Sequence, residues 1–206
     1  MNETTNNVYV QGEVMRMPEY NHSVKDEKFY TFELKVDRLS DECDVLPVII
    51  SEKLLAIKDL YAGEKIGIRG QFRSHNRLED GRSRLMLSVF CRDLEDWDEN
   101  INSNMVELTG YICKSPIYRT TPLNREICDI LLAVNRTNGK SDYIPCLAWG
   151  RNARFAGSLE VGTRLNVAGR IQSRKYNKKM ETGVDVTKIA YEVSIANLAA
   201  TIGEDA

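Results

Sequence analysis

Apolar and polar positions alternate along most of this chain in short runs that predict β-strands. The runs Val8–Val14 and Val106–Ile112 both place an apolar residue or glycine at every second position. After the third such run the apolar spacing rises to about three and a half, which predicts a helix over residues 51–60 with Ser51 as its N-cap. A weaker pattern predicts a second helix over residues 152–158. The chain is therefore predicted to be mostly strand.

The two halves of the 206-residue chain repeat each other at an offset of 98 positions, which becomes 99 after one inserted residue. Four of the five prolines take part in matched pairs. The pairs include Gly12 with Gly110, Pro18 with Pro116, Arg38 with Arg136, Pro47 with Pro145 and Gly70 with Gly169. A repeat of this length predicts two copies of one domain. We predict a first unit over 1–95, a linker over 96–103, a second unit over 104–198 and a short tail over 199–206.

Each copy has the predicted order β-β-β-α-β-β in about 95 residues, an order and size that favour a small closed barrel. Glycines inside the first and fourth strands suit the sharp bends and bulges of such a barrel. The predicted fold class is all-β with one short helix per repeat, forming two tandem OB-fold five-stranded barrels. Another small five-stranded barrel or a sandwich is the alternative.

The near-neutral net charge of −2 hides an asymmetry between the two halves. Residues 1–98 hold 14 basic and 19 acidic side chains, whereas residues 99–206 hold 14 basic and 11 acidic ones. The first half therefore carries −5 and the second +3. A basic second half indicates an anionic partner.

The second copy resembles the bacterial single-stranded DNA-binding protein family over residues 104–198. The resemblance is carried by the order and spacing of several segments, namely 104–112, 132–136, 143–150, 162–171, 173–176 and 191–198. It implies binding of single-stranded DNA in replication, recombination or repair. It also implies four barrels per assembly, and hence a homodimer of this two-barrel chain. The first copy resembles the family only through the repeat and its glycines.

The resemblance places Tyr143, Trp149 and Tyr176 where the family stacks bases. Stacking on an aromatic ring tolerates any base, because every base has a π-face. Trp149 could instead belong to the core, and the face of Tyr143 could point inward. The predicted phosphate contacts are the basic residues around these rings, namely Arg136, Arg151, Arg154, Arg170, Arg174, Lys175, Lys178 and Lys179. The lysine-rich run could also be a solvated hairpin tip.

The first copy lacks all three rings, since Val45, Ser51 and Arg77 stand at the matching positions. Its hairpin still carries basic side chains that we include as DNA-binding candidates, namely Arg77, Arg82 and Arg84. Because this copy is also acidic, we expect it to bind weakly or to act as a scaffold.

No catalytic motif accompanies these features: the chain has two histidines, and its five cysteines are too irregularly spaced for a zinc site. We predict no enzymatic activity, no cofactor and no metal, and disfavour a metal-dependent nuclease built on acidic residues. The odd cysteine count and the lack of an apolar run of 18 residues predict a cytoplasmic protein with reduced thiols and no membrane partner. The resemblance adds association with the bacterial nucleoid.

The main alternative function is an OB-fold adaptor that works through protein–protein contacts, such as a primosome or recombination accessory factor. The sequence ends Ile202-Gly203-Glu204-Asp205-Ala206, without the aromatic in an acidic tip that the family commonly has. Replication or repair proteins are candidate partners by resemblance, and this ending weakens the case for their recruitment.

Overall fold

The computed structural model describes residues 5–79, 81–179 and 185–201. The first repeat forms β1 (Asn6–Val14), β2 (Glu19–Val24), β3 (Glu27–Asp37), β4 (Cys43–Ser51), α1 (Glu52–Leu55), β5 (Lys65–Glu79) and β6 (Arg82–Asp96). The second forms β7 (Asn104–Ile112), β8 (Ile117–Thr120), β9 (Glu126–Asn135), β10 (Ser141–Trp149), α2 (Gly150–Gly157), β11 (Arg164–Lys179) and β12 (Asp185–Thr201). The two repeats thus share one order of elements.

Five strands close into a ring in each repeat. In the first, β1 pairs with both β5 and β3, β5 pairs with β6, and the parallel pair β6–β4 leads back to β3. In the second, β7, β11, β12, β10 and β9 close in the same way. The prediction of two tandem OB-fold barrels is confirmed.

Apolar side chains that alternate along these strands fill the inside of each barrel. Phe32 and Phe72 are fully buried in the first barrel, and Leu132 and Ile144 in the second. The long fourth strand of each ring bends at a bulge, which lies at Arg69/Gly70 in β5 and at Ala168/Gly169 in β11. A Cβ on Gly70 would lie 2.2 Å from the Phe90 carbonyl oxygen, so only glycine allows the two strands to approach this closely.

Three local predictions were wrong. Each repeat has a sixth strand, β2 or β8, which pairs only with the outer part of β3 or β9 and takes no part in closing the ring. Helix α1 covers four residues rather than ten. The chain leaves the helix after Leu55, so Ile57 is exposed to solvent, and Leu60 is buried from the following turn. Ser51 precedes α1 without a capping hydrogen bond from its side chain.

Helix α2 is twice as long as α1, although its sequence pattern is weaker. Its buried face consists of Ala153 and Ala156, both fully inaccessible to solvent. Small side chains let the helix lie close to β9 and β10. A pattern of large apolar residues, the usual sign of a buried helix face, is therefore weak here, and the sequence underestimates the length of α2. No helix in the described part of the chain is long and apolar enough to cross a membrane.

The two barrels are joined by antiparallel pairing of β1 with β7, from Asn6 opposite Leu108 to Val10 opposite Asn104. This pairing makes one continuous sheet of 12 strands. Asn6 and Asn104 play matching parts beside the junction. The amide of Asn6 bonds both backbone groups of Phe72, at 2.8 and 2.9 Å, and the amide of Asn104 does the same to Ile171, at 2.7 and 2.9 Å.

A reciprocal pair of ionic contacts ties each barrel to the other one's long hairpin. In one, Arg38 bonds Asp44 at 2.7 and 2.8 Å and also donates to the backbone oxygen of Ser173, at 3.1 Å, while Asp44 accepts from the Ser173 N–H and hydroxyl. In the other, Arg136 bonds Asp142 and donates to the Ser74 carbonyl at 2.9 Å. These contacts fix where the hairpins β5–β6 and β11–β12 leave the barrels.

Candidate nucleic-acid interface

The outward face of β10 presents two of the three predicted aromatics. Alternate residues of this strand, Ile144, Cys146 and Ala148, are buried inside the barrel, so the residues between them point to the other side, where Leu147 is also covered. Tyr143 is 45% exposed and Trp149 37% exposed. Six residues of strand separate the two by about 20 Å. The structure thus shows that the Tyr143 ring points outward and that Trp149 lies outside the core.

Trp149 lies against β12 at the end of its own strand. Its indole N–H donates to the Ser194 hydroxyl at 3.1 Å, which fixes the ring over that position. Arg170 is the cross-strand partner of Ser194, so its side chain leaves the sheet on the same face as the Ser194 hydroxyl. Arg151 follows on the exposed side of α2, and Arg154 pairs with Glu126 at 3.3 Å. The structure therefore brings Arg170 and Arg151 to the Trp149 region, with Arg154 partly neutralised.

Tyr143 lines a groove between the two barrels, with a volume of about 260 Å³. The Tyr143 backbone N–H donates to the Ser74 hydroxyl of the first barrel at 2.7 Å. His75 lines the same groove from β5, and Lys140 and Arg136 line it from the second barrel. The Arg136 guanidinium is already held by Asp142 and the Ser74 carbonyl, so most of its donors are occupied.

The β11–β12 hairpin carries the third aromatic. Tyr176 is 38% exposed, and the Arg174 guanidinium carbon lies 6.0 Å from its ring centroid. Arg174 also lies 3.9 Å from the Glu192 carboxylate, while Lys175 is exposed on the opposite face of β11. Lys178 and Lys179 continue the strand, and their side chains lie outside the described part of the structure. Tyr176 and Arg174 thus form a cation–π pair on an accessible strand.

The first barrel's hairpin presents its arginines in a more neutral setting. Arg84 pairs with Glu79 at 2.5 Å, and Arg77 lies 3.9 Å from the same carboxylate. Arg82 is exposed beside the hairpin turn. The positions that match Tyr143 and Trp149 are a half-buried Val45 and a buried Ser51. This hairpin therefore offers less free positive charge than β11–β12.

Sequence reasoning missed the contribution of the first barrel to the groove at Tyr143. Ser74 and His75 are brought there by the contact between the two copies, which joins residues about 70 positions apart. Repetition in the sequence reveals the copies, but it carries no signal for how they pack against each other. Within the described ranges, no three His, Cys, Asp or Glu side chains converge as a metal site requires.

Comparison with known proteins points to one family. Residues 103–199 match the model of the single-strand binding protein family. Single-stranded DNA-binding protein A of Bacillus subtilis (strain 168) is 35% identical over an alignment of 96 positions that covers 43% of this chain and 56% of that protein. Single-stranded DNA-binding protein 1 of Staphylococcus aureus (strain COL) is 37% identical over 93 residues, 42% of this chain and 56% of its own. The chain thus spans little more than half the length of these relatives.

Among solved structures, the wild-type single-stranded DNA binding protein from Thermus aquaticus matches 98% of this chain and 95% of its own. The TM-score is 0.77 at 20% sequence identity, a likeness that bears on the fold alone. This structural match includes both barrels, whereas the match to the family model includes the second barrel alone. Residues 103–199 therefore match the single-strand binding protein family in sequence, and both barrels share the fold of the Thermus aquaticus protein.

Proposed function

We propose that this protein binds single-stranded DNA with little sequence preference and protects it during replication, recombination or repair. The observation that carries the proposal is the pair Tyr143 and Trp149, two rings exposed on one strand face and bordered by basic side chains. Large aromatics normally contribute to a core, so two on an open face indicate a planar ligand. The similar proteins are single-stranded DNA-binding proteins by name, and this supports single-stranded DNA as the ligand. We further propose that the protein works in the bacterial cytoplasm, close to DNA.

Binding by stacking needs no deep, enclosed pocket. A flexible strand can lie along an open sheet face, with bases on Tyr143, Trp149 and Tyr176 and phosphates near Arg170, Arg174 and Lys175. Duplex bases are stacked on each other and present no free π-face. The proposed role is binding rather than catalysis.

Single-strand preference and salt dependence test the proposal together. We expect a fluorescent oligo-dT to bind tightly at low salt, and a duplex of equal length to bind far more weakly. The slope of log affinity against log salt should be about −0.7 for each phosphate neutralised, or about −3.5 for five phosphates. Fluorescence anisotropy over a range of salt concentrations measures both. No binding of oligo-dT at low salt would contradict the proposal and favour the protein adaptor.

We also propose that two chains assemble into a homodimer with four barrels. Support comes from the family resemblance and from the outer face of the central sheet, where β7 exposes Met105 and Tyr111. Light scattering at micromolar concentration should give twice the mass of one chain. Replacing Met105 with Glu should shift the assembly toward the single chain. A wild-type protein that scatters as one chain would show that the dimer is wrong.

A further inference from the structure

The first barrel carries a cluster of aromatic and cationic side chains on its outer surface. At its centre lies Phe90 of β6, with the Phe29 ring centroid 5.8 Å away. His22 of β2 stacks on Phe29 with the two rings 5.1 Å apart and 15° from parallel. We call these three rings, together with Arg73 and Arg92, the Phe90 cluster. Sequence matching to the second barrel does not reveal the cluster, because none of its rings stands at a matched aromatic position.

Two guanidinium groups lie against the Phe90 ring. Their central carbons are 4.8 Å from the ring centroid for Arg73 and 4.9 Å for Arg92. Across the described residues neither arginine forms an ion pair with a carboxylate, and Arg73 bonds the neutral side chain of Gln71. Burial, and the positive charges of Arg136 and Arg92, lower the pKa of Arg73, while the charge of the nearby Asp142 raises it. Cations beside aromatic rings favour an anion that carries a planar group.

Strand pairing shows that Phe90 occupies the place that the Trp149 ring covers in the second barrel. In the parallel pair β4–β6, Phe90 is the partner of Ile49, and in the matching pair β10–β12 the partner of Leu147 is Ser194. Ser194 is therefore the structural equivalent of Phe90. Because the Trp149 indole bonds the Ser194 hydroxyl, its ring lies over that equivalent position.

The neighbouring strand shows the same exchange. Trp149 pairs across the ladder with Ile127, which is buried, and the equivalent pair in the first barrel is Ser51 with Phe29. In the second barrel one large ring, that of Trp149 in β10, therefore lies beside Ser194 and Ile127, which carry no ring. The first barrel has a serine at that site and large rings on the strands to either side.

We propose that the Phe90 cluster is a second base-stacking site, through which the first barrel takes a nucleobase of the same single strand and its phosphate. The base would stack on the Phe90 ring or on a guanidinium plane, and the phosphate would lie beside Arg73 and Arg92. This inference rests on the proposed function and deepens it, because it gives the acidic barrel a binding role. The acidic net charge of that half does not oppose it, since the cluster itself is cationic.

The cluster lies close to the rest of the interface. Arg136, which lines the groove at Tyr143, is near enough to Arg73 to lower its pKa. Arg73 of the cluster is followed directly in β5 by Ser74 and His75, which both line that groove. Burial and the nearby His22 ring lower the pKa of His75. A strand that leaves Tyr143 through the groove therefore meets positive charge on its way to Phe90.

The test compares Phe90→Leu with wild type in binding to a 30-nucleotide oligo-dT. Leucine keeps the apolar contact with β4 and removes the π-face, so affinity should fall about fivefold or more. Phe90→Trp should bind within about twofold of wild type. Arg92→Gln should reduce the steepness of the salt slope by about 0.7. Tyr61→Leu is the matched control, because it removes an exposed ring of the same barrel that bonds Asp59 rather than the cluster, and it should bind as wild type does.

Ultraviolet crosslinking of wild-type protein to oligo-dT gives a second measurement that does not depend on the variants folding. A peptide containing Phe90 that carries thymidine supports the site, and its absence from the crosslinked peptides overturns it. Equal affinities of Phe90→Leu and Tyr61→Leu also overturn it. If wild type binds and Trp149→Ala weakens binding while Phe90→Leu does not, this inference alone fails. If wild type does not bind, the proposed function fails and this inference with it.

Discussion

Trp149→Ala is expected to weaken binding of oligo-dT by about 5- to 150-fold, which corresponds to the 1–3 kcal/mol that one stacked base contributes. The indole is 37% exposed and is held in place by the Ser194 hydroxyl, so a base meets a ring that is already ordered. Little stability should be lost, because the ring lies outside the barrel. Titration of a labelled 30-nucleotide oligo-dT by anisotropy measures the loss.

Two controls separate stacking from general damage. Tyr61→Ala removes a ring that is 56% exposed in the turn before β5, where its neighbours are the carboxylates of Asp59 and Glu64, and it should leave affinity unchanged. Trp149→Phe keeps a π-face and should recover most of the affinity. If Trp149→Ala binds as tightly as Tyr61→Ala does, the stacking role of Trp149 is wrong. Quenching of fluorescence by oligo-dT should also fall in Trp149→Ala, with the residual signal from Trp97.

Asp44→Ala should destabilise the fold by about 3 kcal/mol, the lower end of the cost of breaking a buried ion pair. Asp44 is fully buried, and its loss removes the acceptor of the Ser173 N–H and leaves the Arg38 guanidinium with only the exposed Glu42 and the Ser173 carbonyl. Glu42→Ala is the matched control, because Glu42 pairs with the same arginine at 3.1 Å but is 75% exposed. It should cost less than about 1 kcal/mol. Denaturant unfolding measures both, and equal losses would contradict the account of this contact.

The same contact predicts a dependence on pH. Burial alone would raise the pKa of Asp44, but the hydrogen bonds from Arg38 and Ser173 outweigh it and hold the pKa below its ordinary value. The stability that Asp44 contributes is therefore fully present above about pH 4 and is lost as pH falls through the lowered pKa. The difference in unfolding free energy between wild type and Asp44→Asn should shrink below pH 4. A difference that stays constant would contradict the lowered pKa.

Local pattern and repetition predicted the architecture because they depend on neighbouring residues. Alternating apolar positions identified the ring strands, and the paired glycines located the bulges that bend β5 and β11. The limits 1–95 and 104–198 of the two units stay predictions, since β1 and β7 are hydrogen-bonded into one sheet. The short helices were less predictable, because the burial of Ala153 and Ala156 depends on the strands beneath them.

The interface was harder to predict than the fold. Resemblance identified Tyr143 and Trp149, and alternation along β10 then accounts for their shared outward face. Arg136 looked like a phosphate contact, but its main partners are Asp142 and a carbonyl of the other barrel, which sequence spacing cannot show. The repeat also gives no signal for Phe90. Its ring comes from β6, whereas the Trp149 ring at the equivalent place comes from β10, so the two aromatics do not stand at matching sequence positions.

Binding of oligo-dT as a function of length tests the central claim most directly, namely that one single strand runs across both barrels. An OB fold covers about 4–16 nucleotides, so a 10-nucleotide oligo-dT should occupy one barrel and a 30-nucleotide one should reach both. We expect the longer strand to bind at least about tenfold more tightly at the same salt, and Trp149 quenching to saturate with one long strand per chain. Equal affinity for both lengths, or no binding of either, would contradict the account.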